Sequence, residues 1–470
     1  MSFDLRIQRI AEDAIQRATE AMFGSGVSLR SESSATVPPP PDAPPELSSE
    51  RRILDRFAVA LRGGGVVGEV ATAKLVYLVV TSRLLDRPVS LGVKGVSSSG
   101  KSFVVERTLE FFPPSAYIAR TAMSSRALIY SSESLSHRVL VLFEVDALRE
   151  GADEDPMAYL VRSLLSEGRI DYEVTIRSKE KGFTARHIVK EGPTGLIFTT
   201  TRPEIHGENE TRVLSVTSDD SPAQTQRILA SLAADGASDR EELAPWIALQ
   251  SWLERAEHRV AIPYAVALAD AIPPVAVRLR RDFTAVLSLI SAHAILHQQT
   301  RERDAKDRII ANFEDYQQVR ELVAPLISQG VGRTVSDATR EAVEAVRNLS
   351  AATPEGVSAT QLAAALKLDK SAARRRLLVA ARGGWVVNAE DRRGKPGRWV
   401  AGEPLPTAED LLPTVARLRE AVAQASATAS GSDSISDRPS GGTVAPVPDR
   451  EDSPPPEALA GDPEQPELEL

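Results

Sequence analysis

Short, continuous apolar runs alternate with longer stretches of helical periodicity through the first half of this chain. Continuous apolar strands separated by helices are typical of a parallel sheet that is buried on both faces. The pattern therefore predicts an α/β fold class with a doubly covered parallel sheet. The apolar runs lie at residues 88–93, 116–119, 139–143, 195–200 and 213–216.

The pattern changes along the chain, and the changes divide it into six predicted segments. Near-helical apolar spacing predicts an N-terminal helix, and a Pro/Ser-rich stretch that cannot pack a core follows as a linker. After the α/β core come a helical region, a small separate domain and an acidic tail, in which we expect one short helix after about Thr407 and disorder from Gln424. These segments cover residues 1–27, 28–49, 50–221, 222–335, 336–405 and 406–470.

The net charge of −9 is distributed unevenly. Residues 421–470 hold ten acidic residues and two arginines, whereas residues 367–398 hold ten basic and three acidic residues. This indicates a basic patch beside an acidic tail. The chain has no cysteine, which excludes disulfides, zinc fingers and thiol nucleophiles. We expect His293 and His297 to pack rather than bind a metal, since no Glu follows His293.

The chain begins without a basic and then apolar signal segment, and no apolar stretch reaches the length of a membrane span. We therefore expect a cytoplasmic protein with no membrane partner.

One octapeptide carries the strongest chemical signal, and it lies between a strand-like and a helix-like run. Residues 95–102 match G-x-x-x-x-G-K-[ST], in which loop amides and a helix N-terminus bind nucleotide phosphates. In this pattern Lys101 reaches the β- and γ-phosphates and the Ser102 hydroxyl ligates Mg²⁺. The sequence thus predicts ATP and Mg²⁺ as cofactors. The cofactor-binding residues are Gly95, Ser97, Ser98, Ser99, Gly100, Lys101 and Ser102.

Acidic and hydroxyl side chains follow two further predicted strands. Glu144 and Asp146 come after the run at 139–143, and a carboxylate at the carboxyl end of a buried strand lies beside the phosphates. Either acid can hold Mg²⁺ or polarise the attacking water, and Glu144 is favoured because it directly ends the strand. In the run 199–201, Thr200 and Thr201 are candidates for orienting that water, although threonine also simply favours strands.

A basic hairpin is predicted at residues 169–190, directly before the strand at 195–200. β-forming residues alternate there around a glycine-containing tip. Basic and aromatic side chains near such a tip are suited to hold a phosphate backbone and to stack on a base. An ordinary surface hairpin is the alternative. The candidate DNA contacts are Arg177, Lys179, Lys181 and Phe183.

The segment 336–405 predicts two helices joined by a tight turn, followed by two strands around a basic tip. This order describes a winged helix, whose second helix and wing face DNA. A winged helix used only for protein contacts is the alternative. The candidate DNA contacts are Arg374, Arg375, Arg376, Arg392, Arg393 and Lys395.

The order of these features over residues 50–400 resembles the AAA+ ATPases of mobile-element replication proteins and is similar to the minichromosome-maintenance (MCM) class of helicases. The hairpin, the threonine strand, the segment Glu210-Thr211-Arg212-Val213-Leu214-Ser215, a helical lid and a winged helix follow one another as in that class. The resemblance implies that the hairpin reaches into a central channel. It also implies that Arg212 acts on the ATP site of a neighbouring subunit, whereas on the residues alone a surface salt bridge is an equal alternative.

The resemblance also assigns a γ-phosphate contact in the lid. The segment Arg281-Asp282-Phe283-Thr284-Ala285-Val286-Leu287 resembles the lid helix that carries the sensor arginine. Arg281 is then the implied contact, with Arg280 as the second choice.

The activity implied by the resemblance is that of an ATP-driven DNA helicase or translocase, acting as a homo-hexameric ring in the replication of a mobile element or phage and associated with the nucleoid. The chain departs from the class in three ways. The adjacent Asp-Glu pair is missing, a threonine stands in place of the sensor asparagine, and no primase-like or zinc domain precedes the ATPase. The last departure indicates that a primase or replication initiator is a separate chain. Two alternatives are a non-motor ATP switch, such as a helicase loader or origin-binding factor, and a DNA-binding regulator whose ATPase has decayed.

Overall fold

The computed structural model of the chain describes residues 43–145, 156–178, 182–202, 205, 207–233, 242–334, 337–350, 353, 355–390, 392, 395–405 and 411–431. The chain divides into two compact units, residues 1–422 and 423–470. The described part of the second unit is the end of one helix. The predicted N-terminal helix at residues 1–27 lies outside the described residues.

The described elements follow one another as an α/β core, a helical region and a small C-terminal group of helices and strands. The strands are β1 (Leu91–Lys94), β2 (Tyr117–Arg120), β3 (Arg138–Leu142), β4 (Ile170–Ser178), β5 (Gly182–Lys190), β6 (Thr194–Thr200), β7 (Leu214–Thr217), β8 (Val260–Ala261), β9 (Ile309–Ile310), β10 (Val386–Asn388) and β11 (Trp399–Ala401). The helices are α1 (Ile53–Gly63), α2 (Val70–Thr81), α3 (Lys101–Leu109), α4 (Ser125–Tyr130), α5 (Pro156–Glu167), α6 (Gly207–Glu210), α7 (Pro222–Ala233), α8 (Ala244–Leu253), α9 (Ala265–Ala271), α10 (Leu279–Leu296), α11 (Phe313–Thr334), α12 (Asp337–Ser350), α13 (Ala359–Leu366), α14 (Lys370–Arg382) and α15 (Val415–Gly431). Short 3₁₀ turns lie at Glu46–Ser49, Ser82–Leu84, Pro114–Ala116 and Gln298–Thr300.

The central sheet has the order β2-β3-β6-β1-β7, and every neighbouring pair in it is parallel. The predicted mixed α/β fold with a parallel sheet is therefore confirmed. Strand β6 lies between β1 and β3, so the strand that ends at the threonines separates the strand before the phosphate loop from the strand before the acids. This order brings three predicted parts of the site to adjacent strands.

Side chains of β3 alternate between two apolar layers. Val139 and Val141 belong to the larger core, which is built with α1, α2, α10 and α11, while Leu140 and Leu142 belong to a second core with α5 and β6. Successive side chains of a strand point to opposite faces of the sheet. A continuously apolar strand is therefore one that is covered on both sides, as the sequence predicts.

The hairpin predicted at residues 169–190 is present between α5 and β6. Strands β4 and β5 pair antiparallel, from Ile170 opposite Lys190 to Ser178 opposite Gly182, in a sheet of their own. Residues 179–181, at the tip, lie outside the described residues.

The region predicted to be helical, 222–335, contains α7 to α11, and a two-residue parallel pair, β8 with β9, interrupts it. Helices α10 and α11 pack on each other and on α2, which joins this region to the core. No described helix combines the length and the apolar character that crossing a lipid bilayer requires.

The C-terminal group consists of α12, α13 and α14 followed by the antiparallel pair β10–β11. It has its own apolar core, in which Leu362 and Leu377 pack with Trp385 and Trp399. Asp369 caps α14 by accepting hydrogen bonds from two amides of its first turn. The helices and strands follow the predicted order, and the assignment to the winged-helix class stays a prediction.

Two segments differ from their predicted structure. Leu47, predicted to lie in the linker, is buried within the 3₁₀ turn Glu46–Ser49. The short helix predicted after about Thr407 is present as α15, but it continues past Gln424, where disorder was predicted. Leu411 and Leu418 are buried in the main core, and their burial stabilises the segment.

Candidate nucleotide site

The carboxyl ends of three neighbouring strands bring the predicted nucleotide-binding residues together. β1 ends directly before the loop at 95–100, β3 ends shortly before Glu144, and β6 ends at Thr200. Lys94 pairs with Thr200 in the sheet register, and the Gly95 amide donates to the Thr200 carbonyl oxygen at 3.2 Å. We call this side of the sheet the carboxyl edge. Ligands of open α/β sheets bind at this edge.

The loop at residues 95–100 has a backbone suited to small residues. Gly100 has φ +84° and Ser98 has φ +64°, both in the left-handed region. Gly95 tolerates no side chain, because a Cβ there would lie 2.0 Å from the Ser218 hydroxyl oxygen. Ser218, which the sequence analysis did not single out, donates to the Ser99 hydroxyl at 2.7 Å. The end of β7 therefore helps to fix the loop.

Lys101 begins α3 and is only 6% exposed. Its Nζ donates to the Val96 carbonyl oxygen at 2.7 Å and lies 3.5 Å from the Ser99 hydroxyl. Burial lowers the pKa of Lys101, while the negative charge of Glu144 acts in the opposite direction. The ammonium group is thus held within the loop and interacts electrostatically with the predicted catalytic acid.

These groups fit a nucleoside triphosphate with Mg²⁺. The loop amides and the N-terminus of α3 carry positive potential, to which Lys101 adds a full charge. The half-buried Ser102 and the exposed Glu144 offer the oxygen ligands that Mg²⁺ prefers. Ser97 is exposed on the loop, and Asp146 lies outside the described residues.

Glu144 is held in a left-handed backbone conformation with φ +56°. This conformation costs a residue with a side chain about 1–2 kcal/mol, so its neighbours must hold it in place. The Glu144 amide donates to the Thr199 hydroxyl at 3.0 Å, and the Val145 amide donates to the Thr199 carbonyl oxygen at 3.0 Å. Thr199, which is fully buried, therefore positions the acid from the neighbouring strand.

The threonine run divides into three environments. Thr199 supports Glu144, and the buried Thr200 accepts a hydrogen bond from the Arg202 amide at 3.2 Å. Thr201 is exposed just beyond β6. Thr200 and Thr201 were predicted to orient the attacking water, whereas no role was predicted for Thr199. The signal that could have identified Thr199 is its hydroxyl group inside a continuously buried strand, where a polar group needs a hydrogen-bond partner.

The predicted arginines lie at the opposite side of the sheet. Arg212 and Arg281 line a cavity of about 580 Å³, together with Val89 and Ser90 before β1, Thr194 at the start of β6 and Leu214 at the start of β7. We call this side the amino edge. The distance from Ser90 to Gly95 along β1 is about 16 Å at the usual rise per strand residue. The cavity and the phosphate loop of one chain are therefore separated by the length of the strands.

The two arginines are held by hydroxyl groups. Arg212 Nη1 donates to the Ser166 hydroxyl at 2.6 Å, and Arg281 Nη1 donates to the Thr211 hydroxyl at 2.8 Å. Arg280 is exposed and does not line the cavity. Of the two lid arginines, Arg281 is thus the one placed beside Arg212.

The predicted DNA contacts are partly described. Arg177 and Phe183 pair in the hairpin register, whereas Lys179, Lys181 and Arg393 lie outside the described residues. In the C-terminal group, Arg376 forms an ion pair with Glu341 of α12 at 2.6 Å. The remaining predicted contacts are exposed, namely Arg374, Arg375, Arg392 and Lys395.

His293, His297 and Asp315 form a buried cluster between α10 and α11. His297 uses both ring nitrogens, since Nδ1 bonds the His293 carbonyl oxygen at 2.9 Å and Nε2 accepts from the Ile53 amide at 3.3 Å. Asp315 accepts hydrogen bonds from His293 at 2.6 Å and from Arg301 at 2.7 Å. The hydrogen bonds of His297 and the arginine charge disfavour a metal here, and the cluster joins α1, α10 and α11.

No protein-family model matches the chain, and no curated protein matches it in sequence. Among solved structures, it is similar to a full-length MCM homolog from Methanopyrus kandleri, with a TM-score of 0.40 and 14% identity, over 59% of this chain and 60% of that one. It is also similar to the Aeropyrum pernix ORC1 protein in complex with DNA, with a TM-score of 0.25 and 13% identity, over 78% of this chain and 94% of that one. This chain therefore covers less than two thirds of the length of the Methanopyrus protein.

Proposed function

We propose that this chain is an ATP-hydrolysing DNA helicase or translocase of the AAA+ class, which assembles head to tail into a hexameric ring. The observation that carries the proposal is the division of the candidate site between two edges. The loop with Lys101 lies at the carboxyl edge, while Arg212 and Arg281 line a cavity at the amino edge. A head-to-tail ring brings the amino edge of one protomer against the carboxyl edge of the next.

Within such a composite site, each group has a defined task. The loop amides and Lys101 would hold the β- and γ-phosphates, and Ser102 would ligate Mg²⁺ together with Asp146, the second acid. Mg²⁺, when bound, neutralises negative charge on the phosphates. Glu144 polarises the attacking water, which Thr200 or Thr201 orients. Arg212 and Arg281 of the neighbouring protomer stabilise the charge that develops on the transferred phosphoryl group.

DNA contacts are proposed for two surfaces. The β4–β5 hairpin would track one strand through the ring, as basic loops do in channels that hold single strands. The exposed arginines of α14 and the basic residues between β10 and β11 would contact duplex phosphates. A role in mobile-element or phage replication, a separate primase or initiator partner and association with the nucleoid are proposed from the sequence resemblance alone.

The test compares ATP turnover with and without single-stranded DNA, beside particle size in the presence of ATP. We expect DNA-stimulated hydrolysis by a ring and displacement of a labelled strand from a forked duplex. Changing Lys179 and Lys181 together to Ala should abolish displacement while nucleotide affinity stays unchanged. A protein that remains monomeric with ATP and DNA and hydrolyses no ATP would refute the proposal.

A non-motor ATP switch, such as a loader or origin-binding factor, is the second candidate. The exposure of Glu144 favours it, because an acid in open solvent polarises water less effectively than one in a desolvated site. DNA-stimulated hydrolysis without strand displacement, over the full range of ATP concentration, identifies the switch. Displacement that requires hydrolysis identifies the motor.

A further inference from the structure

A buried ion pair lies beside the phosphate loop and is used by neither half of the proposed site. Lys94 Nζ donates to Glu210 Oε2, with the two side chains 1% and 15% exposed. Removing two charges from water costs several kcal/mol per ion, which their attraction offsets only with good geometry. A pair kept in such a place is a candidate for a positioning role.

The pair joins two segments of the chain that carry different parts of the proposed site. Lys94 is the last residue of β1, and its carbonyl oxygen accepts the Ser218 amide at 2.8 Å. Glu210 is the last residue of α6 and directly precedes Thr211 and Arg212. The pair therefore ties the residue before the phosphate loop to the residue before the arginine segment.

The segment after Glu210 is tied to β1 at both of its ends. The Glu210 side chain is bonded to Lys94, the last residue of β1, and the Leu214 amide donates to the Ser90 carbonyl oxygen, just before β1, at 3.1 Å. Fixing both ends leaves Thr211 and Arg212 little freedom. Arg212 also closes a turn through its amide, which donates to the Asn209 carbonyl oxygen at 3.0 Å.

We infer that Lys94 and Glu210 are positioning residues for Arg212, so that this pair, although adjacent to the phosphate loop of its own chain, supports hydrolysis in the site of the neighbouring protomer. The inference rests on the proposed function, since it needs Arg212 to act in trans. The competing explanation is a local one, in which Lys94 merely supports the loop that begins at Gly95. The two explanations place the defect on opposite sides of a subunit interface.

The decisive variant is the double substitution Lys94→Met with Glu210→Gln. Both charges are removed together, because removal of one would leave an uncompensated buried charge and could destabilise the fold by itself. The matched control is Lys74→Met with Asp55→Asn, which removes another lysine–carboxylate pair, at 2.6 Å, between α1 and α2. We expect the decisive variant to bind a fluorescent ATP analogue within about twofold of the wild type and to lose at least about tenfold in kcat.

Subunit mixing assigns the defect to one edge. Lys101→Ala disables the carboxyl edge and leaves the amino edge intact. In an equal mixture of this variant with the decisive variant, about a quarter of the interfaces join an intact loop to an intact arginine segment. Turnover should therefore exceed that of either variant alone. If the decisive variant instead recovers turnover when it is mixed with Arg212→Ala, the inference is wrong. Full activity of the decisive variant by itself would also overturn it.

Hydrogen exchange separates this inference from the proposed function, because it needs no hydrolysis. In the decisive variant, the Arg212 amide should exchange at least about tenfold faster, while amides of the sheet and of the control variant keep their wild-type rates. Unchanged exchange at Arg212 would refute the positioning role even in an active ring. If exchange at Arg212 is faster in the decisive variant but the wild-type protein has no ATPase activity, the positioning role is supported and the proposed function is refuted.

Discussion

The two edges of the central sheet are built from different types of residues. The carboxyl edge consists of glycines, short hydroxyl side chains and left-handed backbone around Lys101. The amino edge is a cavity of about 580 Å³ whose cations are Arg87 before β1, Arg212 before β7 and Arg281 in α10. An edge of backbone amides and small residues leaves room for a polyphosphate, whereas long arginines held by hydroxyl groups can extend toward a ligand that another chain supplies.

The difference explains how one sheet can host a divided site. Glu144, Thr200 and the phosphate loop come from adjacent strands and meet within one chain, so the carboxyl edge is complete in itself. Arg212 and Arg281 lie at the other end of the strands, and in the proposed ring they act on the nucleotide of a second protomer. Nucleotide binding should therefore be a property of the single chain, and rapid hydrolysis a property of the assembly.

The largest effect is expected from Arg212→Ala. Loss of an arginine that stabilises transferred charge typically costs about 10³-fold or more in kcat, and the affinity for ATP should stay within a few fold. Turnover and nucleotide titration measure the two quantities separately. Arg62→Ala, which removes an exposed arginine of α1, is the control. Equal loss of ATP affinity and turnover would mean that Arg212 contributes to nucleotide binding, as the carboxyl edge does. The two edges would then not have separate roles.

Gly95→Ala should disable the carboxyl edge alone. The new methyl group would lie 2.0 Å from the Ser218 hydroxyl oxygen, and relieving such an overlap costs about 1–3 kcal/mol. Nucleotide affinity should fall about 10- to 100-fold, and exchange at the Arg212 amide should not change. Adding Ser218→Ala should recover part of the affinity. Recovery of none would mean that the backbone angle, rather than this contact, sets the requirement for glycine.

The two edges also differ in how far the sequence reveals them. Gly95 to Ser102 are contiguous, and their loop follows from local chemistry, so the motif and its flanks predict the carboxyl edge. Thr199 escaped selection because its role depends on which strand lies beside β3, and the sheet order is set by long-range packing. The cavity at the amino edge joins residues from 86 to 288, which no local pattern connects. There the sequence offered only a resemblance.

The same contrast applies to the rest of the fold. Continuous apolar strands predicted the parallel sheet, because burial on both faces leaves a direct trace in composition. The sequence predicted one short helix after about Thr407 but not its packing, since the burial of Leu411, Leu412 and Leu418 depends on a core made elsewhere. Position in a tertiary core is not recorded in the average charge of a segment.

Thr199→Val tests whether, within the carboxyl edge, Thr199 supports Glu144 or nucleotide binding. Valine keeps the shape of the buried side chain but cannot accept the Glu144 amide, which is bonded at 3.0 Å. A hydrogen bond of this kind is worth about 1 kcal/mol, so kcat should fall about five- to tenfold with little change in KM. Thr199→Ser retains the acceptor and should retain activity. A rise in KM at constant kcat would show that Thr199 serves binding instead of the acid.

The smallest expected effect on function comes from the cluster of His293, His297 and Asp315, which belongs to neither edge. Burial, followed by the charge of His293, holds the pKa of His297 well below its usual range, while the pKa of Asp315 is lowered to about 2. Burial acts to raise the Asp315 pKa and is outweighed by the hydrogen bonds from His293 and Arg301. Between the folded and unfolded pKa values of His297, the unfolded chain binds the extra proton, so stability falls as the pH drops below about 6.5.

The melting temperature should therefore decline from pH 7.5 to pH 5.5, with a contribution from His297 of at most about 1.4 kcal/mol per pH unit. His297→Gln should flatten this slope. Because the cluster joins α1, α10 and α11, nucleotide binding and Arg212 exchange protection should weaken together as the protein approaches unfolding. Loss of one before the other in this pH range would mean that the two edges unfold as separate units, and that the sheet between them is not the rigid spacer that a divided site requires.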